Sequence, residues 1–196
     1  MSDHYFSEVQ ESADKRFNIE IKLKDDFFQV TSSSGIFSKS ELDFATKLLI
    51  ENSQIGKNIL DLGCGYGVVG ISILRKNKNV TVTFSDVNER AIDLTKDNLS
   101  NLSLKGIVVK SDLFNNLNSE FDTIISNPPY SAGRDLCFKL IEESFDHLVK
   151  DGTLQIVARH NKGGSTLSKK MKEIFGNVQT IARSGGFHVY LSLKND

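Results

Sequence analysis

From residue 58 onward, short apolar runs and amphipathic stretches alternate along this chain so regularly that few folds can accommodate them. The runs are "NILDLG" (58–63), "VTVTFSD" (80–86), "GIVVKSD" (106–112), "FDTIISN" (121–127) and "TLQIVAR" (153–159). Helical spacing of apolar residues fills 68–76, 89–99 and 134–149, and again 166–175 after the last run. Alternating strand and helix predicts parallel strands with helices on both faces of one sheet. The ending departs from that pattern. "VQTIAR" (178–183), Ser184-Gly185-Gly186 and "FHVYLSL" (187–193) read as two strands joined by a tight glycine turn, an antiparallel hairpin. The expected α/β sheet is therefore seven-stranded and mostly parallel, with one reversed strand near an edge.

Residues 17–30 carry an earlier hairpin. Ile19, Ile21 and Leu23 alternate with polar residues, Asp25-Asp26 supplies the turn, and Phe27, Phe28 and Val30 follow. "SSSGIFS" reads as a loop. Ser40 followed by Asp43 resembles a capping box opening a helix whose apolar side holds Leu42, Ala45, Leu48 and Leu49. No repeat, low-complexity tract or Pro/Gly-rich linker interrupts the chain. Residues 1–196 are thus expected to make one domain, a hairpin-and-helix extension (1–52) on a core (53–196).

Bulk properties exclude several classes. At 39% hydrophobic and 25% charged, the chain reads as an ordinary globular protein. "MSDHYFSEVQ" lacks the basic flank and apolar run of a signal peptide, and the longest apolar stretches are too short to span a membrane. Cys64 and Cys137 lie far apart, with neither CxxC nor His-rich spacing, so no disulfide framework and no metal site is suggested. These features point to the cytoplasm and to no membrane partner. A net charge of −1 argues against general affinity for nucleic acid, but the charge is unevenly placed. Residues 150–183 hold seven Lys or Arg (Lys150, Arg159, Lys162, Lys169, Lys170, Lys172, Arg183) against two acids. Such an excess suits phosphate contacts or a solvated helix face.

In open sheets of this kind, ligands bind beyond the carboxyl ends of the strands, where the winding order switches. The candidates are Asp61 to Gly67, Asp86, Asp112, Asn127 to Tyr130, and Arg159 to Lys162. "DLGCGYGVVG" places Gly63, Gly65, Gly67 and Gly70 between a strand and its helix, where glycine lets the backbone turn sharply and approach a ligand. Residues 65–70 match G-x-G-x-x-G, a dinucleotide fingerprint, with Asp86 in the place of a ribose-binding acid. Chemistry argues otherwise. Asp61 stands beside the loop where a pyrophosphate would sit, and a carboxylate there disfavours a dianion. It suits a ligand carrying an ammonium and a sulfonium. S-adenosylmethionine has both, with ribose hydroxyls for Asp86 and an adenine amino group for Asp112.

At these residues the chain resembles the class I methyltransferases that use S-adenosylmethionine. Asp61-Leu62-Gly63-Cys64-Gly65-Tyr66-Gly67 is similar to their first motif, and Asp86 and Asp112 match their ribose and adenine positions. The resemblance covers residues 58–193 and implies a Rossmann-like fold with S-adenosyl-L-methionine as cofactor. It implies a cofactor set of Asp61, Gly63, Cys64, Gly65, Tyr66, Gly67, Asp86, Val87, Asp112, Leu113 and Asn127. Cys64 contributes backbone to this loop, and no covalent step through its thiol is expected.

The only two prolines are adjacent, in Asn127-Pro128-Pro129-Tyr130 directly after the fourth core strand. A residue before proline is held extended, so Asn127 projects a fixed amide from the strand end. Two prolines fix φ in succession and contribute no N–H, so the Pro128 carbonyl can be aimed without a competing donor. Tyr130 offers a flat face for stacking. The matching acceptor is a planar amide or exocyclic amine, whose delocalised lone pair is a poor nucleophile. Hydrogen bonds from that nitrogen to the Asn127 side-chain oxygen and the Pro128 carbonyl orient it and stabilise charge developing on it. The motif resembles the [N/D]-P-P-[Y/F] signature of methyltransferases acting on adenine N6, guanine N2 or glutamine amides.

Which amine is methylated stays open at this level. "SGIFSKSELDFATKLLIE" (34–51) looks like the segment preceding the core of ribosomal RNA guanine-N2 methyltransferases of the small-subunit type, and "DHYFS" and "FGNVQT" resemble compact relatives of that group. This resemblance, with the basic excess beside the site, favours guanine N2 in structured RNA. Adenine N6, a glutamine side chain, and a noncatalytic cofactor- or RNA-binding module are the alternatives. The large ribosomal enzymes carry a second, duplicated domain and the glutamine enzymes a longer helical N-terminal domain, and this chain matches neither. Phe37, Arg134, Arg159 and Lys162 are the substrate-contact candidates; Phe37 is equally a core anchor and Arg134 equally a surface residue. His147, expected mid-helix, and His188, expected in a strand, are read as packing or surface residues. The chain is expected to be a monomer or a homodimer.

Overall fold

In the computed structural model, which describes residues 14–36, 41–129 and 133–195, the first hairpin pairs β1 (Arg16–Leu23) antiparallel with β2 (Asp26–Ser33). Ile19, Ile21, Leu23, Phe28 and Val30 face inward, while Phe27 points out with 59% of its surface exposed. Leu23 pairs with Asp26, so the turn is Lys24-Asp25 rather than Asp25-Asp26. Arg75 holds Asp26 in the strand through two hydrogen bonds of 2.7 and 2.8 Å. Helix α1 (Phe44–Asn52) is capped by Asp43, whose Oδ1 accepts from the Thr46 N–H at 3.0 Å. Asp43 is thus the cap itself and not the third helical residue; Ser40, expected there, lies outside the described residues.

The alternating part of the chain forms β3 (Asn58–Leu62), α2 (Val68–Lys76), β4 (Thr81–Asp86), α3 (Glu89–Asn101), β5 (Ile107–Lys110), β6 (Phe121–Ser126), α4 (Arg134–Asp146), β7 (Leu148–Arg159), α5 (Ser165–Phe175), β8 (Gln179–Ser184) and β9 (Phe187–Leu193). The seven strands lie in the order β5-β4-β3-β6-β7-β9-β8. Only β9 is reversed, running antiparallel to both of its neighbours beside the edge strand β8. The helix expected over 134–149 stops at Asp146, and His147 caps it. Strand pairing ends it: the Phe121 N–H donates to the His147 carbonyl at 2.9 Å and Leu148 pairs with Phe121. β7 consequently begins before the expected run at 153.

Strand alternation divides the core between the two faces of the sheet. Ile59 and Ile125 pack with the hairpin, α1, α2 and α3 through Leu49, Ile71 and Leu94. Leu60, Leu62 and Ile124 pack on the other face against Leu140, Ile141 and Met171 of α4 and α5. Winding reverses between β3 and β6, which places a crevice at the carboxyl ends of β3, β4 and β6. Among the described residues, no helix is long and apolar enough to cross a membrane.

Close helix–sheet packing at this crevice depends on Gly70. A Cβ there would meet Phe84 Cε1 at 2.3 Å and Val82 Cγ1 at 2.8 Å. Phe84 is fully buried and has no room to yield. Gly70→Ala is expected to cost about 1–3 kcal/mol through overpacking, read as a lower denaturation midpoint with an unchanged denaturant slope.

Candidate active site

Three of the glycines in the loop after β3 adopt left-handed φ: +72° at Gly63, +59° at Gly65 and +85° at Gly67. The loop is tied to β4, because the N–H groups of Gly63 and Cys64 both donate to the Ser85 carbonyl, at 2.8 and 3.0 Å. From α3, the Thr95 hydroxyl donates to the Gly65 carbonyl at 2.9 Å. Asn98, almost fully buried, donates to the Tyr66 carbonyl at 3.0 Å and to the Thr31 carbonyl at 2.8 Å, and accepts from the Thr31 N–H at 2.7 Å. It therefore ties the loop to the N-terminal hairpin. A Cβ on Gly63 would meet nothing within 4 Å, so its backbone borders open space; at Gly67 it would meet Thr95 at 3.0 Å. Gly63 makes room, whereas Gly67 and Gly70 serve packing.

Two cavities, of about 260 and 330 Å³, open at the strand ends and share Gly63, Asp86 and Asn127. The first is lined by Asp61, Cys64, Gly65, Tyr66, Pro128, Arg159 and Lys162 together with Asp43 and Thr46 of the α1 start. The second is lined by Val87, Asp112, Leu113 and Pro129 together with Ser85, Ser111 and α4 residues. Leu113 is held at φ +48°, a strained conformation for a leucine, in the turn after β5. Small-molecule sites commonly enclose ~300–1,000 Å³, and two adjoining chambers of this size suit one elongated ligand.

The acids at the strand ends are buried. Asp61 Oδ2 accepts from the Gly70 N–H at 2.9 Å, and burial pushes its carboxyl up to about 7, opposed by that hydrogen bond and reinforced by Asp86. Asp86 accepts from the N–H groups of Gly65 and Asn88, each at 2.9 Å. Its carboxyl is also raised, by burial above all. Asp112 is exposed at the rim of the second cavity. Burial, then Asp86 and Asp61, drives the Cys64 thiol well above its usual range, so a thiolate nucleophile is not available there.

At the end of β6, Asn127 Nδ2 donates to the Thr46 hydroxyl at 2.9 Å. The amide nitrogen is thereby engaged by α1, which leaves the side-chain oxygen to face a ligand. Thr46, Asn98 and Thr95 were not among the sequence candidates. The signal for them is a polar residue on the apolar side of a helix, as Thr46 beside Ala45 and Leu49, and Thr95 and Asn98 beside Leu94 and Leu99. Arg134 opens α4 with its guanidinium 5.7 Å from the Phe138 ring and lines neither cavity. Phe37 and Tyr130 lie outside the described residues. Of the basic stretch, Arg159 and Lys162 reach the first cavity, Lys150 sits at the opposite end of β7, and Lys170 pairs with Glu142 and Glu173 at 2.7 and 2.9 Å.

The residues present fit S-adenosylmethionine. The Ser85 hydroxyl is buried in the wall of the second cavity with no hydrogen-bond partner among the described residues. The open backbone at Gly63 and the two buried acids complete a cradle for a polar, cationic nucleoside.

The methyltransferase small domain model matches residues 28–191 of the chain. The uncharacterized protein YbxB of Bacillus subtilis (strain 168) is 35% identical over 200 residues, covering 99% of this chain and 100% of that protein. The ribosomal RNA small subunit methyltransferase C of Haemophilus influenzae (strain PittGG) is 36% identical over 172 residues, covering 85% of this chain and 51% of the relative. Among solved structures, the T. thermophilus 16S rRNA N2 methyltransferase RsmC in complex with AdoMet and guanosine superposes with a TM-score of 0.80 at 21% identity, over 92% of this chain and 51% of that one. A methyltransferase from Pyrococcus furiosus superposes with a TM-score of 0.67 at 24% identity, over 76% of this chain and 80% of that one. At these identities the structural matches speak for the fold. The chain spans about half the length of the ribosomal RNA methyltransferases that it matches.

Proposed function

The chain belongs to the methyltransferase small domain family, and from that premise we propose that it methylates an exocyclic amine with S-adenosylmethionine, the amine being guanine N2 in structured, probably-unpaired-free terms a ribosomal-type RNA.

 The acceptor in this reading is the N2 amine of a guanine in structured ribosomal RNA. The observation that carries it is Asn127, set where the two cavities meet with its amide nitrogen held by Thr46. The bound cofactor supplies an electrophilic methyl group; the protein's residues place the partners. Asp61 pairs with the cationic end of the cofactor, Asp86 and Ser85 take its ribose, and Asp112 with Val87 and Leu113 borders the adenine. The Asn127 oxygen and the Pro128 carbonyl accept hydrogen bonds from the substrate amine and hold it in line with the methyl group. Tyr130, next along the chain, is assigned the stacking role.

Guanine N2 in ribosomal RNA is favoured by what the H. influenzae and T. thermophilus relatives are named for. Arg159 and Lys162 at the first cavity supply cations for the RNA backbone, so binding should weaken steeply as salt rises. Residues of the hairpin, α1, α2 and α3 share one core cluster, which supports reading the extension and the catalytic core as one domain.

The direct test is transfer of isotope-labelled methyl from S-adenosylmethionine to total RNA from cells lacking this gene, followed by nucleoside mass spectrometry. Label in N2-methylguanosine is the expected result. Label in N6-methyladenosine would overturn the base, and label in protein alone would move the acceptor to a glutamine side chain.

Thr46 gives a finer check. Thr46→Val keeps the shape and removes the acceptor for Asn127, freeing the amide to rotate. Transfer is expected to fall about tenfold, the equivalent of one ordinary hydrogen bond, with cofactor affinity within twofold of the parent (roughly, well under that one-bond scale). Thr46→Ser, which keeps a hydroxyl, should restore the rate.

A further inference from the structure

Three large apolar side chains are exposed among the described residues: Phe27, Phe44 and Ile107. Phe27 lies on the outer face of the hairpin and Ile107 at the start of the edge strand β5, both away from the crevice. Phe44 is different. It opens α1 between Asp43 and the residues that reach Thr46, two lining positions of the first cavity, and is 50% exposed. The buried side of α1 is made by Ala45, Thr46, Leu49 and Ile50, so core packing does not account for an aromatic at this position.

The Phe44 ring lies 6.0 Å from that of Phe187, which itself lines the first cavity, and the Arg159 guanidinium sits 5.6 Å from the Phe187 ring. The turn between β8 and β9 seats this group: a Cβ on Gly185 would come within 3.0 Å of Phe44 Cε1, and one on Gly186 within 3.8 Å of Arg159 Nε. Two aromatic rings and a planar cation are thus held at the cavity mouth, with the ammonium of Lys162 lining the same chamber.

We propose that Phe44, Phe187 and Arg159 form a stacking site for a nucleobase of an unpaired RNA strand, next to the nucleotide whose amine is presented to Asn127. This rests on the proposed RNA acceptor and adds a second point of recognition. Every base has a π-face that stacks on aromatic rings, and a positively charged neighbour suits the strand's phosphates. Only an unpaired strand can offer that face, so the site selects loops and unwound segments over intact duplex. An acidic or purely apolar peptide would leave Arg159 and Lys162 without a matched role.

The test uses the full chain and a short fluorescein-labelled single-stranded oligoribonucleotide of mixed sequence, with its duplex as comparison, followed by anisotropy at several salt concentrations. The single strand should bind more tightly than the duplex. Phe44→Ala should weaken it about five- to a hundredfold, the range for losing one stacked base, with the salt slope unchanged. Arg159→Ala should flatten the slope, and Phe44→Trp should preserve binding. Retained S-adenosylmethionine binding shows that each variant is folded. Unchanged RNA affinity in Phe44→Ala, with the parent binding well, overturns the stacking site alone and points to a protein partner for the exposed ring. Failure of the parent to bind or methylate RNA overturns the RNA acceptor and the stacking site together.

Discussion

Asn127→Ala is expected to lower methyl transfer by about a hundred- to a thousandfold, the scale found when one preorganised polar group facing a developing charge is removed. Cofactor affinity should change little by comparison, since Asp61, Asp86 and the glycine loop are untouched. The argument starts from the hydrogen bond between Asn127 Nδ2 and Thr46, which fixes the amide with its oxygen directed away from α1. An amine attacking a methyl group loses its planarity and gains positive charge. The Asn127 oxygen interacts more strongly with that charged state than with the resting amine, so its loss falls on the rate constant and not on binding. Single-turnover transfer, with cofactor dissociation constants measured alongside, separates the two. Equal losses in cofactor affinity and rate would mean that Asn127 serves the cofactor alone. No transfer by either protein on any acceptor would leave a binding module.

Much of this arrangement is legible in the sequence because period and punctuation agree. The runs at 58–63, 80–86 and 121–127 end in acids or in Asn127, and each becomes a strand whose carboxyl end reaches the crevice. The glycines of the loop are visible too, although their separate duties are not. Gly63 borders open space while Gly70 is pressed against Phe84, a distinction that depends on which strand packs behind α2. Thr46 escaped notice because its partner, Asn127, is 81 residues away. Phe44 and Phe187 likewise meet only after β9 has inserted beside β7. Local pattern cannot reveal such pairs, since long-range register decides them. The same holds for the basic stretch, which the fold scatters between the cavity mouth, the far end of β7 and an ion pair on α5.

The second large effect is a pH dependence of cofactor affinity centred on Asp61. Burial raises its carboxyl to about 7, so in slightly acidic solution the free protein holds it largely protonated. A cationic cofactor pairs with the ionised form, so binding below that value must release a proton. Affinity is therefore expected to tighten as pH rises, by up to about tenfold per unit below pH 7, and to level off above it. Asp86, also raised by burial, acts in the same sense. The stability of the free protein moves the other way. Between the ordinary carboxylate value of 3.8 and about 7 the native state holds a proton that the unfolded chain has lost, so stability falls as pH rises through this window. Asp61→Asn removes both dependences: an amide can still accept from the Gly70 N–H, yet it carries no charge. Its cofactor affinity at pH 8 should be at least about tenfold weaker than the parent's, on the scale of one lost charged hydrogen bond. Calorimetric titration in two buffers of different ionisation enthalpy counts the released proton directly. A flat affinity profile in the parent, or an Asn variant that binds as well, would remove Asp61 as the partner of the cofactor's charge and leave that task to Asp86.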